Sequence, residues 1–356
     1  MKAIIFGGGG DMGVAIAYGL HKLGIGIQIV DNNGSSRNNA YKILKETKLV
    51  PNVEIRSGPD FTNANVAISA APYAVNEKIA GMCFRANVPY CDLGGNPLVS
   101  SNIQELAVRN KGVAFTDLGC APGLVNIMAE ASWKHHRKPR KVPKNVYMMV
   151  GGLPNNPTNR LRYARVFNVG GLYNELTGDC EILEDGKVVT RPALGDIETV
   201  ADLSDPLVSF ESGLTKGGLS HTLKLMESRK VKNCCYKTLR FPGHFDYITF
   251  LLEECKMNFK EFVKFIKRAC PETEDDFLIM HIEVDDHVVQ HRIDSDDTWT
   301  AMQKSTSFPT AAMAAILAEG DGRKPVLDYS DVPLVDFAEK LSVIGGIGEP
   351  LSYWNL

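Results

Sequence analysis

The chain lacks any run of about 18 consecutive apolar residues, the length a membrane-spanning helix needs, so no such helix is expected. The apolar run behind the first residues, Ala3-Ile4-Ile5-Phe6, is too short for the core of a secretory signal. Cysteine is sparse: eight in 356 residues, at 83, 91, 120, 180, 234, 235, 255 and 270, with no C-x-x-C pair. That excludes a disulfide-built scaffold and argues against a zinc ribbon or thioredoxin-type motif. Reduced thiols in a cytoplasmic protein are expected. An excess of one charge sign is missing too. Lys and Arg number 39, Asp and Glu 42, and the net charge is −3, which excludes a globally basic nucleic-acid binder. Internal repeats and low-complexity segments are absent.

The composition that remains is that of a soluble globular protein, 44% apolar and 23% charged. At roughly 100–200 residues per domain the length suggests two domains. Glycine is generous, 32 residues, about 9% against a usual ~7%. In the first ~120 residues short apolar runs alternate with helix-like spacing. Strands are expected at Ala3–Phe6, Gly26–Val30, Val53–Arg56, Val66–Ala70, Pro89–Asp92 and Gly112–Asp117. Helices are expected at Met12–Lys22, Ala40–Glu46, Val75–Ala86 and Ser100–Asn110, the last capped by Ser101 or Asn102. Asp31–Gly34 reads as a turn. Such alternation implies a parallel sheet with helices on both faces.

After Trp133 the character changes. The basic stretch Lys134–Lys141, broken by Pro139, reads as a solvated connection. Then come β-rich segments at Asn145–Val150, Cys180–Leu183 with Lys187–Thr190, Lys237–Leu239, and Ile279–Val284 with Val288–Ile293. They imply a second α/β domain with a mixed or antiparallel sheet. Ala311–Ala318 and Val335–Ile344 read as late helices.

Gly8-Gly9-Gly10-Asp11-Met12-Gly13 fits G-x-G-x-x-G between the first strand and first helix, the context a dinucleotide site requires. Gly8 permits the tight turn, Gly10 lets backbone approach a pyrophosphate, and Gly13 lets helix and strand pack closely. Asp31, at the end of the second strand, suits the ribose hydroxyls of NAD and repels the 2′-phosphate of NADP. Arg37 lies close enough in sequence to weaken that preference.

Here the residues resemble the saccharopine dehydrogenase-like family, and within it the lysine 6-dehydrogenases most nearly. The resemblance rests on the glycine loop, Ser69-Ala70-Ala71-Pro72-Tyr73, Tyr90–Gly95, Gly119–Leu124, Gly151–Pro154, Val169–Glu175, Ser212–Leu214 with Gly217–Ser220, Tyr236–His244 and Thr306–Pro309. Tyr236–His244 is the most specific of these. The family implies a doubly wound Rossmann domain over 1–122, a substrate and dimerisation domain over 123–308, and a C-terminal segment, 309–356, packing back on the first. It implies a homodimer, a nicotinamide cofactor held by Gly8, Gly10, Asp11, Met12, Gly13, Asp31, Ala70, Ala71, Pro72 and Gly119, and an amine or amino-acid substrate. Departures at Ala74-Val75-Asn76, Pro157–Arg165 and Gly348-Glu349-Pro350 bear on substrate identity.

Hydride removal from a carbon bearing nitrogen needs a neutral amine, hence a proton acceptor. His244, in the Pro-Gly-braced loop 240–244, is the first candidate because histidine titrates near neutrality. Asp92, at a parallel strand end where open α/β sheets place ligands, is the second and suits a substrate ammonium. Ser69 ends the neighbouring strand and suits a hydrogen bond to substrate or nicotinamide. Arg240 suits a substrate carboxylate through its bidentate fork, with Lys237 assisting. Gly151–Pro154 reads as a sharp turn lining the pocket, and Tyr163 and Arg165 as residues reaching it. Cys120 reads as a small core residue. His287 and His291 lack a third ligand nearby, so no metal is expected.

The sequence thus points to an NAD-dependent dehydrogenase of an amino acid, first L-lysine at C6. The alternatives are an NADPH-dependent imine reductase of saccharopine or carboxyspermidine type, and a non-catalytic NAD-binding protein. Neither a nucleic-acid nor a membrane partner is expected.

Overall fold

The computed structural model describes residues 1–138, 142–320 and 324–353. Pro139, Arg140 and Lys141 of the basic stretch lie outside the described residues. Two compact units emerge: residues 1–127 with 303–352, and residues 128–302 with 353.

In the first unit, six short strands form one parallel sheet: β1 (Lys2–Phe6), β2 (Gly26–Val30), β3 (Glu54–Arg56), β4 (Val66–Ser69), β5 (Tyr90–Asp92) and β6 (Ala114–Phe115). Their order is β3-β2-β1-β4-β5-β6. The order reverses between β1 and β4, the switch point at which such sheets open a crevice beyond their carboxyl ends. Every residue of β4 and β5 is buried, which is why these strands read as apolar runs without alternation. Register sets Phe6 beside Ser69, and Ser69 beside Asp92.

Two helix starts differ from expectation. The helix after β5 begins at Pro97, because Asn96 accepts from the Leu98 and Val99 amides and proline fits the first turn. The cap is therefore Asn96, not Ser101 or Asn102. The Asp31–Gly34 cluster also starts a helix. Asn33 accepts from the Ser35 and Ser36 amides, and Gly34–Ala40 follows, widening into a π turn over Tyr41–Glu46. From the late part of the chain, residues 303–319 of the helix Ala301–Glu319 pack on the first helix, Asp11–Lys22. Ser307 donates to the Met12 carbonyl at 3.0 Å. A Cβ at Gly19 would lie 2.8 Å from Ala311 Cβ, so only glycine allows this approach.

The second unit holds one mixed sheet of eight strands: β7 (Asn145–Pro154), β8 (Asp179–Glu184), β9 (Lys187–Pro192), β10 (Glu198–Ala201), β11 (Ser209–Leu214), β12 (Asn233–Arg240), β13 (Asp276–Val284) and β14 (His287–Asp294). β12 runs parallel to β7, while β7–β13, β13–β14, β11–β12 and β10–β11 are antiparallel. Gly151–Pro154, expected as a turn, is the last stretch of β7. Its glycines make room for neighbours: a Cβ at Gly151 would lie 2.8 Å from the Leu239 carbonyl oxygen, and one at Gly152 2.7 Å from Met302 Cε. A helical layer supplies Leu172, Phe245, Ile248, Phe262 and Ile266 to one core, with Leu161 and Tyr163. The described part of the basic stretch is mostly exposed, and its start is helical. Lys134, His135 and His136 form the last turn of the helix Leu124–His136, where cations suit the helix dipole. Lys134 reaches Glu130 at 3.3 Å.

Candidate active site

The glycine loop follows β1. Gly7, not Gly8, takes the left-handed turn, with φ of +68°. Its amide donates to the Val30 carbonyl at 2.9 Å, and its α-carbon lies against the Ala70-Ala71 backbone, where a Cβ would come within 2.7 Å of the Ala71 nitrogen. A Cβ at Gly13 would overlap Gly8 Cα, so helix and turn pack as tightly as expected. At Gly10 a Cβ would meet only the Gly7 oxygen, at 3.5 Å. That side of the loop is open. No side chain caps the helix that starts at Asp11, so its first amides are left for a ligand. Asp31 accepts from the Gly9 amide at 3.3 Å and the Asn33 amide at 2.9 Å, while Arg37 donates to the Asp31 carbonyl at 2.7 Å.

Beyond the next two strand ends lies a polar network. Asp92, 1% exposed, accepts from four donors: the Gly94 amide at 2.9 Å, the Asp117 amide at 3.0 Å, the Tyr90 hydroxyl at 2.8 Å and Asn76 Nδ2 at 3.3 Å. Asn76 Oδ1 in turn accepts from Ser69 Oγ at 2.8 Å. Burial, then the nearby Asp117 charge, hold the Asp92 carboxyl well above the usual carboxylate range. Asp117 sits in the left-handed region at φ +65°, a strained setting that the Asp92 bond and a 2.9 Å bond from Ser100 Oγ secure. Gly119 follows; a Cβ there would lie 3.0 Å from the Leu93 oxygen. Ser69, Ala70, Ala71, Asp92 and Gly119 thus gather at the carboxyl edge of the first sheet. Asn76, Tyr90 and Asp117 complete the network, and their polar side chains are invisible as partners until the strands are in register.

In the second unit, β12 ends at Arg240 and a six-residue helix starts at His244. Gly243, at φ +89°, makes the bend. Glu211 of β11 then clasps the bend, accepting from the Gly243 amide at 2.9 Å and the Phe245 amide at 2.7 Å. His244 is 1% exposed, and its Nδ1 lies 2.8 Å from the Leu161 carbonyl oxygen. A carbonyl only accepts, so Nδ1 carries the proton and Nε2 presents a lone pair. That Nε2 is buried with no partner. Burial and the Arg240 charge push the imidazole down to about 3, against the Leu161 bond. His244 is therefore neutral at pH 7, a correction to its near-neutral titration expected from residue type.

Arg240, 2% exposed, donates Nη1 to the Leu239 carbonyl at 2.9 Å, and its Nε is buried without a partner. Its guanidinium lies 5.5 Å from the Tyr163 ring centre, and the Tyr163 and His244 rings are also 5.5 Å apart. Arg240, His244 and Tyr163 are thus one cluster. Arg165 is tied elsewhere, to Glu272 at 2.6 Å and the Cys270 carbonyl at 2.9 Å. Lys237 is elsewhere too. Side chains three apart on a strand point to opposite faces. Lys237 pairs with Asp196 at 2.8 Å and Glu198 at 2.7 Å, lining a cavity of about 440 Å³ with Tyr147, Cys235 and Glu283. His287 stacks on His136, its ring centre 3.7 Å away, and His291 Nδ1 lies 3.1 Å from the Tyr353 hydroxyl. Cys120 is buried.

A β3-β2-β1-β4-β5-β6 parallel sheet with a glycine loop after β1 and a separate mixed sheet are the build of a Rossmann-type dehydrogenase. The family model of the saccharopine dehydrogenase C-terminal domain matches residues 119–331. The chain belongs to the saccharopine dehydrogenase family and is an oxidoreductase. In fold it is similar to apo saccharopine dehydrogenase (L-Glu forming) from Saccharomyces cerevisiae, at 14% identity over 96% of each chain and a TM-score of 0.67. Weaker likenesses include a myo-inositol dehydrogenase from Corynebacterium glutamicum, at 8% identity over 97% of this chain and 94% of that one, TM-score 0.45. GenD2 from gentamicin A biosynthesis, in complex with NAD, follows at 10% identity, 97% and 92% coverage, and a TM-score of 0.44.

Proposed function

We propose that this oxidoreductase is an NAD-dependent amino-acid dehydrogenase that removes hydride from a CH–NH2 carbon, with L-lysine at C6 as its substrate. Hydride passes to NAD, the iminium left behind adds water, and the products are 2-aminoadipate 6-semialdehyde, ammonia, NADH and a proton. The observation that carries the reading is Arg240. A guanidinium 2% exposed, with an unpartnered Nε and no ion pair among the described residues, is costly unless an anion completes it. A substrate carboxylate is that anion, and guanidinium matches its shape. His244 Nε2, likewise buried and unpartnered, accepts a hydrogen bond from the reacting amine, which gives its ammonium proton to solvent before it enters and binds in the neutral form. Because the imidazole stays neutral at pH 7, its lone pair is available there. Tyr163 walls the cluster beside both.

The glycine loop fits the dinucleotide that this chemistry requires. Its open side at Gly10 and the uncapped amides at Asp11, Met12 and Gly13 suit a pyrophosphate. Asp31 supports NAD, since a carboxylate held at the end of β2 suits ribose hydroxyls. Ala70, Ala71, Pro72 and Gly119, on the same sheet edge, are assigned to the cofactor as well. The bound nicotinamide supplies the hydride acceptor. Asp92 and Ser69 act as positioning residues: Asp92 fixes Gly94 and Asp117, and Ser69 orients Asn76.

Arg37 favours a second reading. Its guanidinium donates to the Asp31 carbonyl, which keeps a cation at the end of β2 and supports a 2′-phosphate there. That suits NADPH and reduction of an imine formed from an aldehyde and an amino acid. One assay separates the two. Purified protein is mixed with L-lysine and either NAD or NADP, and nicotinamide absorbance is followed. Growth of NADH is the expected result. Silence with both cofactors, together with NADPH consumption when an aldehyde and an amine are supplied, would replace the first reading with the second.

A further inference from the structure

β11 carries a carboxylate where strands seldom place one: Glu211, half-buried in the run Ser209–Leu214. Register sets it directly opposite Arg240 of β12 and opposite Thr199 of β10. Residues opposed in an antiparallel pair share a face, with β-carbons about 5 Å apart, and opposite charges so placed ordinarily pair. Here they do not. No ion pair among the described residues joins Glu211 to Arg240. The carboxylate is engaged elsewhere: Oε2 accepts from the Gly243 amide at 2.9 Å and Oε1 from the Phe245 amide at 2.7 Å. The amide between them, that of His244, donates to the Phe241 carbonyl at 3.2 Å.

Gly243 has no side chain to cap the short helix that follows. Glu211 supplies, from a neighbouring strand, the acceptor such a cap would give. All three amides of the bend are then held, and the backbone on both sides of His244 is tied to one carboxylate. The ring is anchored too, by Nδ1 on the Leu161 carbonyl at 2.8 Å. We propose that Glu211 is a positioning residue: through the amides on either side of His244 it aims the Nε2 lone pair, and with both oxygens engaged it leaves the guanidinium opposite it open for the substrate carboxylate. This rests on the reading of Arg240 and His244 as the substrate cluster.

The test is Glu211→Gln in the full-length protein. The new NH2 group faces an amide that needs an acceptor, so one of the two bonds is lost. Two readouts go beyond a loosened fold. The first is nitrogen NMR of the imidazole, which distinguishes its tautomers. Wild type is expected to hold His244 as one neutral Nδ1–H tautomer at about pH 6. Glu211→Gln is expected to show both tautomers and to take up a proton closer to the ordinary histidine value of about 6.5. The second readout is the split of kcat from KM for L-lysine, scored per NAD-binding protein. A reacting geometry displaced by about an ångström lowers kcat by roughly tenfold to a hundredfold. KM is expected to stay the same or fall, because Arg240 remains and a neighbouring negative charge is gone. Glu211→Asp keeps the charge and is expected to show smaller changes of the same kind; it serves where the glutamine variant fails to fold. A single unchanged tautomer in Glu211→Gln, or a KM that rises as steeply as kcat falls, would overturn the proposal. A tautomer that shifts in a protein oxidising no amine would defeat the dehydrogenase reading and leave the placement of His244 by Glu211 standing.

Discussion

Asp92 in the first unit and Arg240 in the second are almost equally buried, at 1% and 2% exposed. Their surroundings differ. Both Asp92 oxygens are taken, each by two donors, and those donors hold the strand end and the loops after it. Arg240 bonds one carbonyl, leaves its Nε unpartnered, and sits near His244, whose Nε2 is unpartnered as well. A buried polar group that is fully bonded stabilises a unique arrangement. One left open weakens the fold and is worth keeping only if something else completes it. The first network holds the strand end and the loops beside the glycine loop; to the second we assign recognition, as a proposal.

Substitution breaks the comparison most sharply at Asp92. Asp92→Ala strands three buried donors and the half-buried Gly94 amide and is expected to lower the free energy of unfolding by about 3–5 kcal/mol. Denaturant melts of wild type and variant measure this. A loss below about 1 kcal/mol would mean that the network is not structural.

At His244 the expected effect is smaller and depends on pH. The folded value, about 3, lies below the ordinary 6.5. The unfolded chain therefore binds the proton more readily. Stability from this group is complete above pH 6.5 and drains away as pH falls toward 3, by up to about 1.4 kcal/mol per pH unit. Glu175 and Asp92, both raised, push the opposite way, losing their contribution as pH rises from the ordinary carboxylate range toward neutrality. The difference between wild type and His244→Asn isolates the imidazole. Wild type is expected to lose stability relative to the variant between pH 6 and 4; parallel pH curves would contradict the placement of His244.

The first unit was largely legible because buried parallel strands read as plain apolar runs. Gly26–Val30 carried its bounds unchanged into β2. The loop glycines were visible, though the left-handed turn fell on Gly7. The second unit hid more. β10 and β11, Glu-Thr-Val-Ala and Ser-Phe-Glu-Ser-Gly-Leu, are too polar or glycine-bearing to announce strands. Gly151-Gly152 imitated a turn because glycine also serves where chains pass closely. Glu211 and Leu161 reach the site from distant segments, and no local pattern marks such partners. One misplacement was avoidable: Lys237 and Arg240 are three apart on one strand, and the two-residue period already sets them on opposite faces.

The contrast between the two buried groups is tested most directly by equilibrium unfolding of Arg240→Met beside wild type, with lysine oxidation measured on the same samples. Methionine fills similar space without the charge. The variant is expected to be as stable as wild type or more so, by about 1–2 kcal/mol, and to lose lysine oxidation by a hundredfold or more. A variant destabilised by more than about 1 kcal/mol that still oxidises lysine at the wild-type rate would show that Arg240 serves the fold and not a substrate.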